Sequence, residues 1–350
     1  MQAFLKHYKF SVVFAIIAVA IAFILGGAKA AVIVAALGIL ETSLSFDNAV
    51  VNARVLQHWP DLWRKRFLTW GIFVAVFGMR IVFPLAIVAI ASGIAPLTVI
   101  NMALYAPSDY ARHLTAVHHE VAGFGGAFLF MVAIAYFLEE KQAYWWEAIE
   151  SRLTKLGQIE GVSAALVLAA LAILSNIFPD HTHGVQFFLA GVWGVVSYIV
   201  AKGIGAVLGG DDDEDEADGG AVTATIIKAS IAGFLYLELL DASFSFDGVI
   251  GAFVLTDYLP YIALGLGIGA FFVRSMTIHL VEAGTLSEYR YLEAGAFYAI
   301  FALAVVMFMS GYGIELPQWA TGLMSVAFIG AALLHSIVAN RREAKAGLAA

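Results

Sequence analysis

The sequence contains no cysteine, which removes disulfides, zinc–thiolate sites and thiol catalysis and leaves the redox compartment open. Charge is also scarce, at 13% of 350 residues. With 61% hydrophobic residues and a mean hydropathy of +0.87, the chain has too little polar surface to clothe a soluble globule of this length. An all-α, polytopic transmembrane helical bundle is therefore expected. The net charge of −8 adds little to this, because the acidic run Asp211–Glu216 supplies most of it. No nucleic-acid partner is expected, and the partner that composition implies is the lipid bilayer.

Apolar runs bounded by charge or by Gly and Pro suggest about ten spans, near 10–27, 31–57, 67–93, 120–138, 161–179, 185–208, 223–256, 260–281, 291–311 and 318–339. The distribution of Lys and Arg tests that count. With a cytoplasmic N-terminus, the inner segments hold Lys6, Lys9, Arg64, Lys65, Arg66, Lys141, Arg152, Lys155, Lys202, Lys228, Arg290, Arg341, Arg342 and Lys345, against Lys29 and Arg112 outside. Ten spans with both termini inside follow, in a bacterial inner (plasma) membrane. The basic start, the run Phe10–Leu25 and Ala28-Lys29-Ala30 resemble a signal peptide, but the run exceeds most signal h-regions and is read as the first span. Residues 1–180 form a first repeat, 181–208 begin a second, 209–222 are an acidic, Gly-flanked cytoplasmic linker and 223–350 complete the second repeat. Trp145-Trp146 and Glu147–Lys155 read as an interfacial amphipathic segment.

Acids recur inside these apolar runs. Glu41-Thr-Ser-Leu-Ser-Phe-Asp47 returns two hundred positions later as Asp241-Ala-Ser-Phe-Ser-Phe-Asp247. A charge at the centre of a lipid-facing helix costs about 3 kcal/mol, so Glu41, Asp47 and Arg54 together oppose insertion of their span by roughly 9 kcal/mol. These side chains must face partners, water or a ligand. Arg80 follows Asp47 by 33 residues and Arg274 follows Asp247 by 27, each within an apolar span, and these are the expected charge partners. A third echo sets Glu120-Val-Ala-Gly-Phe against Glu293-Ala-Gly-Ala-Phe. Spans two to four thus match spans seven to nine, and a displacement of five makes equivalent helices cross in opposite directions. That is an inverted 5+5 repeat. The two acidic heptads are expected to meet near the midplane, with Glu120 and Glu293 at opposite ends as gate candidates.

On an unbroken helix, residues six apart are rotated by about 120° and separated by about 9 Å, too far for Glu41 and Asp47 to share an ion. Either the helix breaks, as Thr42, Ser43 and Ser45 favour, or the other repeat completes the shell. Glu238 and Asp241, three apart, fall on one face. Five acids, Glu41, Asp47, Glu238, Asp241 and Asp247, against Arg80 and Arg274 leave a deficit that fits a divalent cation and not an anion. Carboxylates with Asn48, Ser43, Ser45, Ser243 and Ser245 are hard oxygen ligands suited to Mn²⁺, Mg²⁺ or Ca²⁺. Met79 and Met276 stand beside the arginines, where a thioether favours Mn²⁺ and packing is the commoner role. His118, His119, His181 and His183 are ligand-capable on the outer side.

Glu-x-x-x-Ser-x-Asp47-Asn48 and Asp241-x-x-Phe-x-Phe-Asp247 resemble the paired signatures of the TerC family of integral membrane proteins. The likeness covers the motif helices and the arginine-bearing spans, about half of the chain. It implies manganese efflux, and it implies that Glu41, Asp47, Asn48, Asp241 and Asp247 are metal-site residues. Where many TerC-like sequences carry Ser after the second Asp, this one has Gly248, so the half-sites are chemically unequal. The expected function is export of a divalent cation, Mn²⁺ foremost, with protons as a coupling ion, and no permanently bound cofactor or enzymatic activity. Two alternatives stand beside it: a membrane-protein assembly factor with structural charges, and an intramembrane aspartyl hydrolase using Asp47 and Asp247. Against the hydrolase, no Gly-x-Gly-Asp stretch precedes either acid.

Overall fold

Apolar runs this long form helices because backbone groups in hydrocarbon must be satisfied within their own segment. In the computed structural model, which describes residues 2–141, 143–208, 231–345 and 347, no strand occurs among the described residues. The described side chains exclude those of 1–6, 204–208, 232, 246, 247, 250, 254, 287, 318 and 343–345. The linker expected at 209–222 lies outside the described residues.

In chain order the elements are α1 (Gln2–Leu44), α2 (Phe46–Leu56), α3 (Asp61–Arg66), the π-helical stretches π1 (Phe67–Gly71) and π2 (Val74–Val82), then α4 (Phe83–Ala91), α5 (Pro96–Tyr105), α6 (Pro107–Ala116), α7 (His118–Leu138), α8 (Glu147–Leu156), α9 (Val162–Ile177), α10 (His181–Leu208), α11 (Ile231–Leu255), α12 (Leu259–Glu282), α13 (Thr285–Glu288), α14 (Leu292–Gly311) and α15 (Gln318–Lys345). Seven described helices are long and apolar enough to cross a membrane: His7–Leu44, Val74–Ala91, His118–Leu138, His181–Gly203, Leu259–Glu282, Leu292–Gly311 and Trp319–Arg342. The chain is a multi-pass membrane protein. The ten expected spans differ from these seven for physical reasons. Helix α11 carries Glu238, Asp241 and Asp247 and so is not apolar enough, α9 is only 16 residues long, and the first two expected spans share α1.

Helix α1 is two helical segments that meet at Gly26 (φ −146°, ψ 16°) and Gly27 (φ 69°, ψ −161°). The chain reverses there. Ser11 Oγ lies 2.7 Å from Ser275 Oγ, a Cβ on Gly26 would strike Tyr261, and one on Gly38 would lie 2.9 Å from Ile268. The contact thus moves along α12 towards its N-terminus and then back. The backbone at Gly27 is essentially glycine-only, so Gly27→Ala is expected to destabilise the fold by about 1–3 kcal/mol. Thermal unfolding in detergent checks this, and an unchanged midpoint would contradict the reversal.

Helices α7 and α14 bear the third sequence echo and pack side by side, running oppositely. A Cβ on Gly126 would lie 2.8 Å from Phe308, Phe130 and Phe301 have ring centroids 5.4 Å apart, and Tyr136 stacks on Phe297 at 3.8 Å. Along α7 the partner numbers fall as the chain numbers rise. These aromatic contacts form the largest buried apolar cluster, which also takes in Phe128, Phe187, Tyr198 and Tyr236. The acidic helices cross beside this cluster.

Candidate functional site at the crossing of the two acidic helices

Four residues of the first half, Glu41, Ser45, Asn48 and Asn52, recur at intervals of four, three and four, which places them on one helical face. All four are buried, and so are Glu238, Asp241 and Ser245, which form the corresponding stripe on α11 with Gly248. The stripes meet in antiparallel register. Asn48 Nδ2 donates to Asp241 Oδ1 at 2.6 Å, and a Cβ on Gly248 would lie 2.6 Å from Glu41 Oε2. Shifting each residue by two hundred exchanges these two contacts, so a local two-fold relation between the halves is present in the packing itself.

One cation is buried at this crossing. Arg80, 1% exposed, donates Nη2 to Glu41 Oε1 at 2.8 Å and Nη1 to Asp241 Oδ2 at 3.3 Å. Its remaining bonds go to backbone: Nε to Leu266 O at 3.1 Å and Nη1 to Ala75 O at 2.6 Å. The guanidinium therefore sits among four oxygens drawn from α1, π2, α11 and α12. Arg80 and Ala75 both lie in the π-helical stretch π2, an irregularity common at functional sites. Small residues let the helices close. A Cβ on Gly269 would strike the Glu41 side chain, and one on Gly71 would lie 2.9 Å from Glu238 Oε1.

Whether Arg274 meets Asp247, the acid that precedes it in its own half, lies outside the described residues. Arg274 Nε donates to Leu68 O, and the residue makes no ion pair among the described residues, although it lines one cavity with Glu238 and Asp241. It reciprocates Arg80 in another sense, since each arginine reaches a carbonyl on the other's span. The break expected near Ser45 is slight. Ser45 interrupts α1 and α2 at φ −97°, ψ 22°, yet Ser45 N still bonds Glu41 O and Ala49 N still bonds Ser45 O. Few carbonyls are freed there, and the partners come from the other half instead.

Asp47 is fully buried but faces α15, where Ser325 Oγ donates to its Oδ2 at 3.2 Å, while its Oδ1 accepts Asn48 N at 2.9 Å. The side chain of Asp247 lies outside the described residues. Ser43 is exposed and donates to Ile39 O, Ser243 is buried and donates to Leu239 O, and Ser45 Oγ reaches Glu41 Oε1 at 3.4 Å. No group of three or more His, Asp or Glu side chains among the described residues is arranged to hold a metal ion. Glu238 and Asp241 do share a face, both lining a cavity of about 40 Å³ with Asn52 and Thr277. Asn52, Thr277 and Ser325 are the residues sequence reasoning missed. Asn52 was detectable, four residues beyond Asn48 on the same face, whereas nothing local marks Thr277 or Ser325.

The gate candidates lie at opposite ends of the antiparallel pair, and their surroundings differ. Glu293 Oε1 bonds Arg54 Nε at 2.7 Å, and Arg54 also bonds both oxygens of Glu139 at 3.1 Å, its guanidinium 5.1 and 5.0 Å from the Tyr136 and Phe297 ring centroids. Among the described residues Glu120 has no such arginine, and its Oε2 is buried without a partner. Nearby, His119 Nε2 lies 3.0 Å from Gln186 Oε1 and its ring is 4.4 Å from that of His183. The position equivalent to Arg54 in the second half is Val254.

Residues 46–343 match the model of a family described as a protein of unknown function (DUF475), a range that includes Asp47, Asn48, Arg80, Glu238 and Asp241 but not Glu41. No curated protein and no solved structure matches the chain.

Proposed function

The chain belongs to the DUF475 family, and we propose that it exports a hard divalent cation, Mn²⁺ before Mg²⁺ or Ca²⁺, with protons as the counter-ion. One observation carries this reading: equivalent carboxylates of two oppositely running halves, Glu41 and Asp241, converge on a single buried positive charge. The four oxygens around Arg80 are hard acceptors on four different spans, the kind of environment a hard cation requires. Intramembrane acids beyond those needed for pairing, Asp47 and Glu238, mark ion pathways more often than structural pins. The resemblance of both heptads to TerC signatures points the same way, and the opposed α7 and α14 supply the two halves that rocking about a central site needs.

The assembly-factor reading is favoured by the completeness of Arg80's bonding, since a fully satisfied arginine can be a structural pin. Purified protein separates the two readings. Mn²⁺ is expected to raise the unfolding midpoint saturably and to move into proteoliposomes, with Mg²⁺ and Ca²⁺ competing more weakly. An absence of both stabilisation and flux would leave the charges as structural.

A further inference from the structure

Beyond the Arg80 crossing, towards the end where Arg54 meets Glu139 and Glu293, lies the cavity of about 40 Å³ lined by Asn52, Glu238, Asp241, Arg274 and Thr277 together with apolar atoms of π1, its flanks and α12. A water position needs about 10–15 Å³ on this measure, so there is room for roughly three. Glu238 is 3% exposed, yet neither of its carboxyl oxygens has a partner. Asn52 is 4% exposed and its Oδ1 is likewise unpartnered. Thr277 Oγ1 gives its proton to Val273 O, which leaves oxygen lone pairs for the cavity. Both Asp241 oxygens already accept, from Asn48 and from Arg80. The buried atoms left without a partner here, Glu238 Oε1 and Oε2 and Asn52 Oδ1, are therefore acceptors when Glu238 is ionised. A lone carboxylate in such a place is costly unless something positive meets it.

Charge decides what that is. Glu41 and Asp241 share Arg80 and keep one net negative charge, Glu238 when ionised adds a second, and Arg274, tied to Leu68 O, returns one positive charge at the rim, so one negative charge is left over. A divalent ion would exceed that charge and meet two neighbouring guanidinium groups, whereas a monovalent ion balances it. The cavity is also one-sided. The positions equivalent to Asn52 and Glu238 in the opposite halves are Ala252 and Gly38, which have no polar side chain. This is a site that one half-crossing has and the other lacks.

We propose that Glu238, Asn52 and Thr277 form a binding site for a small monovalent hard cation of Na⁺ size, carrying part of its water shell and distinct from the Arg80-filled crossing. The site does not require the manganese reading. The test is thermal unfolding of the full chain in detergent at fixed pH and ionic strength with a chelator present, comparing NaCl, KCl and choline chloride. Na⁺ is expected to raise the midpoint saturably where choline does not, and Glu238→Gln to raise the half-saturating concentration at least about tenfold. Asn52→Ala leaves the carboxylate in place and is expected to weaken the Na⁺ response, so it carries the test if Glu238→Gln does not fold. Equal midpoints of the wild type in Na⁺ and choline, an equal response to K⁺, or full Na⁺ stabilisation in both variants would overturn the assignment. Mn²⁺ stabilisation of the same samples is read separately, so failure of the divalent reading and failure of this one remain distinguishable.

Discussion

Asp241→Asn is expected to lower Mn²⁺ flux in proteoliposomes at least about a hundredfold while leaving a folded protein. Weakening even an outer partner of a bound metal costs 10–100-fold, and the proposed function makes Asp241, with one oxygen on Arg80 and the other on Asn48, a direct participant in the ion's path. The substitution keeps size and shape. Its amide oxygen can still accept from Asn48 Nδ2, and Arg80 keeps the shorter bond to Glu41 at 2.8 Å, so the loss of stability is limited to about 1–3 kcal/mol. Charge changes more than shape does. The trio Glu41, Asp241 and Arg80 goes from a net negative charge to neutrality, which removes the attraction for a cation entering between the halves. Flux measured by quenching of an enclosed metal indicator, beside the unfolding midpoint of the same preparation, separates the two effects. Flux within threefold of the wild type would remove Asp241 from the pathway.

How much of this was legible follows from which interactions are local in sequence. The duplicated heptad, the opposite directions of the two halves and the need for Arg80 to meet acids are readable, because insertion cost and span parity act on the chain alone. The polar stripe Glu41, Ser45, Asn48 and Asn52 was also available as helical periodicity, though the heptad drew attention to Asp47 instead. Asp47 points to Ser325, nearly three hundred residues away, and no periodicity reveals such a partner. The same holds for Leu266 O and Ala75 O, since carbonyl ligands leave no mark on residue identity. Arg274 is a related case. Its interval from the preceding acid is six residues shorter than that of Arg80, and its bond to Leu68 O again goes to a carbonyl that residue identity does not mark. The reversal at Gly26-Gly27 was visible as a gap between two apolar runs, although its continuous helical character on either side conceals it from any count based on length.

The inequality of Asn48 and Gly248 now has a steric cause, and it predicts a compensating pair. Glu is one methylene longer than Asp. On the Asp241 side that missing methylene leaves room for Asn48, which fills it with a hydrogen bond, whereas on the Glu41 side Oε2 occupies the space a side chain at 248 would need. Gly248→Ala is therefore expected to push Glu41 off Arg80 and to destabilise the protein by about 1–3 kcal/mol, the usual cost of overpacking a closed site. Glu41→Asp alone should also destabilise it, by withdrawing the carboxylate from Arg80 and leaving a gap. Combined, the two changes relieve each other, with a favourable coupling of about 1–3 kcal/mol. Glu41→Asp with Gly248→Asn extends the argument by reproducing at the first crossing the Asp–Asn pairing of the second, and a symmetrical site should recover more stability than either single variant. Unfolding midpoints across the double-mutant cycle decide the matter. Additivity within about 0.5 kcal/mol would mean that Glu41 and Gly248 do not share the space, and that the difference between the halves arises elsewhere.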